Sequence, residues 1–198
     1  HTFVLNLIFE PLNMIQYTNG TKSINKITGV PDTDGIATIS FDNKNSSVNV
    51  INTELISGLE KYLSDALSDQ SVKGIIITSS KKDFMLGGDL KMLIDVKEPE
   101  KIMEVTNWLH AVLRKMELGG KPVVAAINGT CIGGGYEIAL ACHCRIAVND
   151  SNIQIGLPEV LLGLLPGGGG TQRLPRMIGI QESLELMLEG KKLRPEQA

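Results

Sequence analysis

The 198 residues are 42% hydrophobic and 21% charged, which supplies a substantial core for one globular domain but leaves too little chain for two. A formal net charge of −3, with no lysine-arginine cluster longer than a pair, argues against a nucleic-acid partner. No apolar run approaches the roughly 18 residues of a membrane-spanning helix, so partners are sought among small molecules and proteins. The three cysteines, Cys131, Cys142 and Cys144, lie in one segment; they form no disulfide framework and fit a reducing compartment. The run Cys142-His143-Cys144 lacks the second ligand pair of a zinc site, and no metal is assigned to it.

The first residue is His1 and the first methionine is Met14. Residues 1–13 read as a non-native or disordered leader without the basic lead-in or cleavage pattern of a signal peptide, and 14–198 as the domain. A strand is expected over Ser23 to Ile27 and a turn over Thr28 to Gly35. Ala37, Ile39 and Phe41 then alternate with Thr38 and Ser40, the pattern of a half-buried strand that closes a hairpin. After a polar loop from Asp42 to Ser47, Asn52 or Thr53 caps a helix to about Ala66 that carries Leu55, Ile56, Leu59, Leu63 and Leu67 on one face. Ile75 to Thr78 is a buried strand. Phe84 to Leu90 brings two glycines and an aspartate to the start of a helical stretch, Lys91 to Val96, where backbone N–H groups are exposed.

Pro99 opens a longer helix to about Met116, spaced by Ile102, Val105, Leu109, Val112 and Leu113; Trp108 and His110 within it read as packing or surface residues. Val123 to Ile127 is an unbroken apolar run between Pro122 and Asn128-Gly129, a strand expected to be buried on both faces. Gly133, Gly134 and Gly135 follow, then a helix from about Tyr136 to Ala141. Arg145 to Val148 is a short strand, Gly167 to Gly170 a turn, and Thr171 to Ile178 and Gln181 to Leu188 are helical. Arg194-Pro195 starts a further helix at the end of the sequence. Strand, loop and helix recur, which defines an α/β domain.

The stretch from Lys121 to Glu137, KPVVAAINGTCIGGGYE, orders strand, glycine turn and helix. Its glycines let N–H groups approach a ligand, and the positive helix end adds to the same field, so negative or developing negative charge is expected there. Glu137 on the first helical turn has two readings: a helix-end stabiliser contributing about 0.3–1 kcal/mol, or a proton carrier. The nucleotide spacings G-x-G-x-x-G and G-x-x-x-x-G-K-[ST], the zinc-protease H-E-x-x-H and the G-x-S-x-G elbow are all missing. What remains is two glycine-bearing strand ends, at Gly88 and Gly134, and two carboxylates, Glu137 and Glu159. Two converging N–H donors make an oxyanion hole, and two carboxylates make an acid and a base.

These residues resemble the crotonase, or enoyl-CoA hydratase, superfamily. Its F-x-x-G-x-D-[IL] loop matches Phe84 to Leu90, its N-G-x-x-x-G-G-G-x-E matches Asn128 to Glu137, and its P-E-x-x-x-G-x-x-P-G-x-G-G matches Pro158 to Gly170. The resemblance runs from about Ile24 to Ala198 and is strongest to the hydratase region of multifunctional fatty-acid oxidation enzymes. Leu86 and Gly88 stand where the family often has alanine.

The resemblance implies an α/β spiral of ββα units whose C-terminal helical part is truncated here. It implies that the Gly88 and Gly134 N–H groups hold the thioester oxygen of an acyl-CoA, that Glu137 activates water, and that Glu159 delivers a proton to the α-carbon. The CoA adenine is placed near Ser47, Val48 and Leu86. Gly87, Asp89, Leu90, Gly133, Pro158, Leu162 and Gly167 are the further substrate-binding positions of the matched motifs. The implied activity is hydration of 2-enoyl-CoA in fatty-acid β-oxidation, with no cofactor beyond the coenzyme A of the substrate.

The implied assembly is a homotrimer or hexamer, or part of a larger β-oxidation complex, in a bacterial cytoplasm or a mitochondrial matrix. Two alternatives stand beside it: a double-bond isomerase, which generally needs a single carboxylate at the second position, and a non-catalytic acyl-CoA-binding or assembly fragment of a multifunctional β-oxidation protein.

Overall fold

The structure is a computed structural model and describes residues 26–28, 34–96 and 98–198. The leader expected over 1–13 and the turn around Pro31 and Asp32 lie outside the described residues.

The first sheet holds β1 (Lys26–Thr28), β2 (Ile36–Phe41), β3 (Gly74–Ser79), β4 (Val123–Ile127) and β6 (Cys144–Ala147) in the order β1-β2-β3-β4-β6. β1 runs antiparallel to β2, and the remaining pairs are parallel, with Ile39 opposite Ile77 and Ile77 opposite Ala125. Parallel neighbours need a crossover between them, and helices provide it. α1 (Thr53–Ser68) joins β2 to β3, α2 (Leu90–Asp95) and α3 (Pro99–Leu118) join β3 to β4, and α4 (Gly134–Leu140) precedes β6.

α1 starts where Asn52 Oδ1 accepts the Leu55 N–H at 2.8 Å, and it buries Leu55, Ile56, Leu59, Leu63 and Ala66. α3 buries Leu109, Val112, Leu113 and Met116 against the same core. Phe41 and Phe84 meet edge to face inside that core at 5.8 Å between centroids.

After each strand of the first sheet the chain crosses to a second stack. Ile51 follows β2, Met85 to Gly88 follow β3, β5 (Cys131–Ile132) follows β4, and β7 (Ile155–Gly156) follows β6. These segments pair in parallel, Ile51 with Gly88, Met85 with Cys131, and Cys131 with Ile155, and β8 (Lys192–Leu193) closes the stack antiparallel to β7. The chain is thus a coil in which each turn lays one strand on the first sheet and one short segment on the second, the spiral that the resemblance implies. A 3-10 turn (Glu159–Leu162), α5 (Gly170–Ile178) and α6 (Ile180–Leu188) follow.

One strand expectation changes. β4 was expected to be buried on both faces, yet only Val123, Ala125 and Ile127 are buried while Val124 and Ala126 are partly accessible, so one face of this strand is fully covered and the other incompletely. β6 is the sheet edge, and its residues are exposed or half-buried. Period-2 burial is invisible in a run where every residue is apolar.

Candidate active site

The second stack brings the two glycine-bearing strand ends side by side. Gly87 adopts φ +96°, and its carbonyl accepts the Ile51 N–H at 2.8 Å, while Asp89 N–H donates to Ile51 O at 2.9 Å. The intervening Gly88 N–H donates to no acceptor among the described residues. Gly134 is the first residue of α4, so the helix ladder leaves its N–H free as well. The two nitrogens share one locality: a Cβ on Gly134 would lie 3.7 Å from Gly88 N, and one on Gly87 would lie 3.9 Å from Gly134 N. Two free main-chain donors so placed suit an oxygen that gains negative charge.

Both glutamates adjoin this place and differ in their surroundings. Glu137 is 2% exposed; its Oε2 accepts the Gly168 N–H at 2.8 Å and its Oε1 the Gly170 N–H at 2.7 Å. Burial raises its pKa, opposed by those two bonds and by the positive fields of His110 and Arg173. Glu159 opens the 3-10 turn. Its Oε1 would lie 3.4 Å from a Cβ on Gly133, next to Gly134, and its Oε2 is buried with no hydrogen-bond partner among the described residues. Burial, together with the charge of Glu137, raises the Glu159 carboxyl to about 7 despite its own backbone hydrogen bond. One carboxylate is tied on both oxygens, and the other keeps a free oxygen and holds its proton near neutrality.

The remaining expected positions are placed as follows. Gly133 has φ +56° and donates to Gly156 O at 2.9 Å, which fixes the approach to Gly134. Pro158 sets the entry to the 3-10 turn. Asp89 caps α2, its Oδ1 accepting the Lys91 and Met92 N–H groups, and Leu90 begins that helix half-exposed. Leu86 N–H donates to Asn49 O at 3.0 Å, which seats the loop bearing Ser47 and Val48 beside Leu86. Leu162 is 60% exposed at the end of the 3-10 turn, and the carbonyl of Gly167 faces His110 Nε2 at 2.6 Å.

Trp108 donates to Glu60 on α1 and packs on the core. His143 Nδ1 accepts the Val123 N–H, so that ring is part of the β4 terminus. The described residues contain no group of three His, Cys, Asp or Glu placed to hold a metal ion, and no helix long and apolar enough to cross a membrane.

Asn49 escaped the reading of the sequence. It is fully buried, donates to Phe41 O, Ser79 Oγ and Phe84 O, and accepts from Asn43 N, so it ties the ends of β2 and β3 to the Gly87–Gly88 loop. Its one signal was a lone amide between two valines in an otherwise apolar approach to α1.

Comparison with known proteins shows the family and the fold. The family model for enoyl-CoA hydratase/isomerase matches residues 32–198, and the chain belongs to that family. The chain is 45% identical over 166 residues to the fatty acid oxidation complex subunit alpha of Shewanella frigidimarina, covering 83% of this chain and 23% of that protein. It is 46% identical over 165 residues to the subunit of the same name from Shewanella loihica, again across 23% of that protein. The chain therefore spans about a quarter of the length of these curated relatives.

Among solved structures, the enoyl-CoA hydratase of Bacillus anthracis superposes with a TM-score of 0.80 at 30% identity, covering 89% of this chain and 66% of that one. The enoyl-CoA hydratase of Thermoplasma volcanium gives 0.80 at 28% identity, covering 88% and 67%.

Proposed function

We propose that the chain adds water across the double bond of a 2-enoyl-CoA to give a 3-hydroxyacyl-CoA. The observation that carries this reading is the pair of unlike glutamates beside the free Gly88 and Gly134 donors. The thioester oxygen accepts from both N–H groups. Each Glu137 oxygen still has a lone pair beyond its bond to the glycine loop, so the carboxylate takes a proton from water as the water oxygen bonds to the β-carbon. The π electrons move toward the thioester, and the enolate oxygen is stabilised by the two main-chain donors.

Glu159, protonated below about 7 and with an unpaired oxygen, gives its proton to the α-carbon. Water has then been added as OH and H, and the proton on Glu137 returns to Glu159 through solvent.

Similarity to subunits of a fatty acid oxidation complex supports a place in β-oxidation and in a larger assembly for the protein that contains this chain. The test is the fall in ultraviolet enoyl absorbance of crotonyl-CoA, run for the parent chain, Glu137→Gln and Glu159→Gln. Turnover lost in both variants is expected. Turnover that survives Glu137→Gln points to an isomerase, and binding of the CoA ester without turnover in the parent overturns the hydratase reading.

A further inference from the structure

Glu137 is held by a loop of four consecutive glycines, 167–170, the kind of backbone with the least intrinsic preference for one shape. The loop needs these glycines: a Cβ on Gly168 would stand 2.7 Å from Glu137 Oε2, and one on Gly170 would stand 3.1 Å from Oε1. Something else must therefore fix its peptide planes. The peptides are trans, so the carbonyl of one residue and the N–H of the next point opposite ways from one plane. The Gly167 carbonyl accepts from His110 Nε2 at 2.6 Å, and the N–H across that same plane, Gly168, reaches Glu137.

The Gly169 carbonyl accepts the Gln172 and Arg173 N–H groups at 3.0 Å, and the N–H across its plane, Gly170, also reaches Glu137. The plane between them is held through the Gly168 carbonyl, which accepts from an Arg173 Nη atom at 2.9 Å. Arg173 is braced by Glu117 at 2.7 Å, and Glu117 lies seven residues, or two turns, beyond His110 on α3.

We propose that His110 and Arg173, with Glu117 behind Arg173, are positioning residues: they grip the carbonyls of the Gly167–Gly170 loop so that its N–H groups clamp the Glu137 carboxylate. A donor on the carbonyl side of a peptide also polarises the N–H on the other side, so His110 strengthens the bond Glu137 accepts without touching it. The charged or titratable groups that act on Glu137 are His110 from α3, Arg173 from α5 with Glu117 behind it, and Glu159 from the 3-10 turn. Loosening the loop leaves the burial of Glu137 less opposed, so its carboxyl then titrates at higher pH than in the parent.

The kinetic half of the proposal rests on the hydratase reading, and the titration half does not. The experiment makes His110→Ala, at an exposed side chain, and Arg173→Lys, each in the parent and in Glu137→Gln. It reads kcat and KM on crotonyl-CoA, and the Glu137 carboxyl by carbon-13 NMR of glutamate-labelled protein, with the signal assigned by its loss in Glu137→Gln.

For His110→Ala we expect kcat to fall up to about ten-fold, the worth of one hydrogen bond, with KM little changed, Tm held and the Glu137 signal moved to higher pH. Arg173→Lys should move that signal the same way. His110→Gln, which keeps a donor, should recover most of the rate, and in Glu137→Gln neither substitution should lower the residual rate further.

A Glu137 signal that titrates as in the parent, or a rate loss that persists in Glu137→Gln, overturns the proposal. A signal that moves in a chain whose parent shows no turnover supports the positioning role and sinks the hydratase reading instead.

Discussion

The surroundings of Glu137 and Glu159 solve opposite problems with the same residue type. Glu137 is deep, and both its oxygens are matched by main-chain donors from a loop that is itself gripped from behind. Glu159 sits on a short turn with one oxygen buried and unmatched, which makes its charged form costly and its protonated form the resting one below about 7. On the proposed mechanism the carboxylate held on both oxygens accepts a proton from water, and the one with an unmatched oxygen gives its proton away. That proposed division of labour rests on the hydrogen-bond partners of the two glutamates, and the comparison can be broken at each side.

The largest effect should come from exchanging each glutamate for its amide. Both Glu137→Gln and Glu159→Gln should lower crotonyl-CoA hydration by about 10²- to 10⁴-fold. Their stabilities should part, however. In Glu137→Gln the amide NH2 group faces a glycine N–H, donor against donor, and should cost about 1–3 kcal/mol in chemical denaturation. Glu159→Gln keeps an amide oxygen to accept the one backbone hydrogen bond the carboxyl makes, and Oε2 has no partner among the described residues to lose.

Next in size is the donor pair. A Cβ at position 134 would meet the buried Ile51 Cδ1 at 2.6 Å, so Gly134→Ala must displace either that side chain or the start of α4. Misplacing one donor in this way should lower kcat on the order of a hundred-fold.

A smaller effect is expected with pH. The proposed mechanism needs Glu159 protonated, so kcat/KM should fall as pH rises through about 7, and that limb should vanish from the residual activity of Glu159→Gln. Stability follows the same group. Its folded pKa lies above its unfolded one, so the folded form binds a proton that the unfolded form has lost, and the resulting stabilisation, complete below about pH 4.5, fades as pH rises through about 7. Glu159→Gln should melt with the parent near pH 4 and above it near pH 8 in calorimetry. The smallest effect should be Gly88→Ala. A Cβ there meets only Leu93 Cδ1, at an ordinary 3.7 Å, and kcat should stay within about two-fold because the donor is main-chain.

Much of this site was legible in the sequence because its signals were local. The glycines at 87 and 133–135 mark turns that need positive φ or close backbone approach, and Gly87 and Gly133 are found at +96° and +56°. The cap at Asn52 and the apolar face of α1 also lie within a few turns of helix. His110 read as a surface or packing residue because an exposed side chain in the middle of a helix carries no local mark; only the loop 57 residues further on gives it a partner. Asn49 and Arg173 were passed over for the same reason, since each acts on segments distant in sequence.

The sequence by itself determined the alternation of strand and helix, the three glycine motifs and the two glutamates, for these depend on periodicity and on backbone freedom at fixed positions. Tertiary structure alone decided that parallel stacking of the second sheet would gather the motifs into one place. It also decided which glutamate would be satisfied and which left short of a partner, because burial and hydrogen bonding depend on residues that only the folded coil brings together.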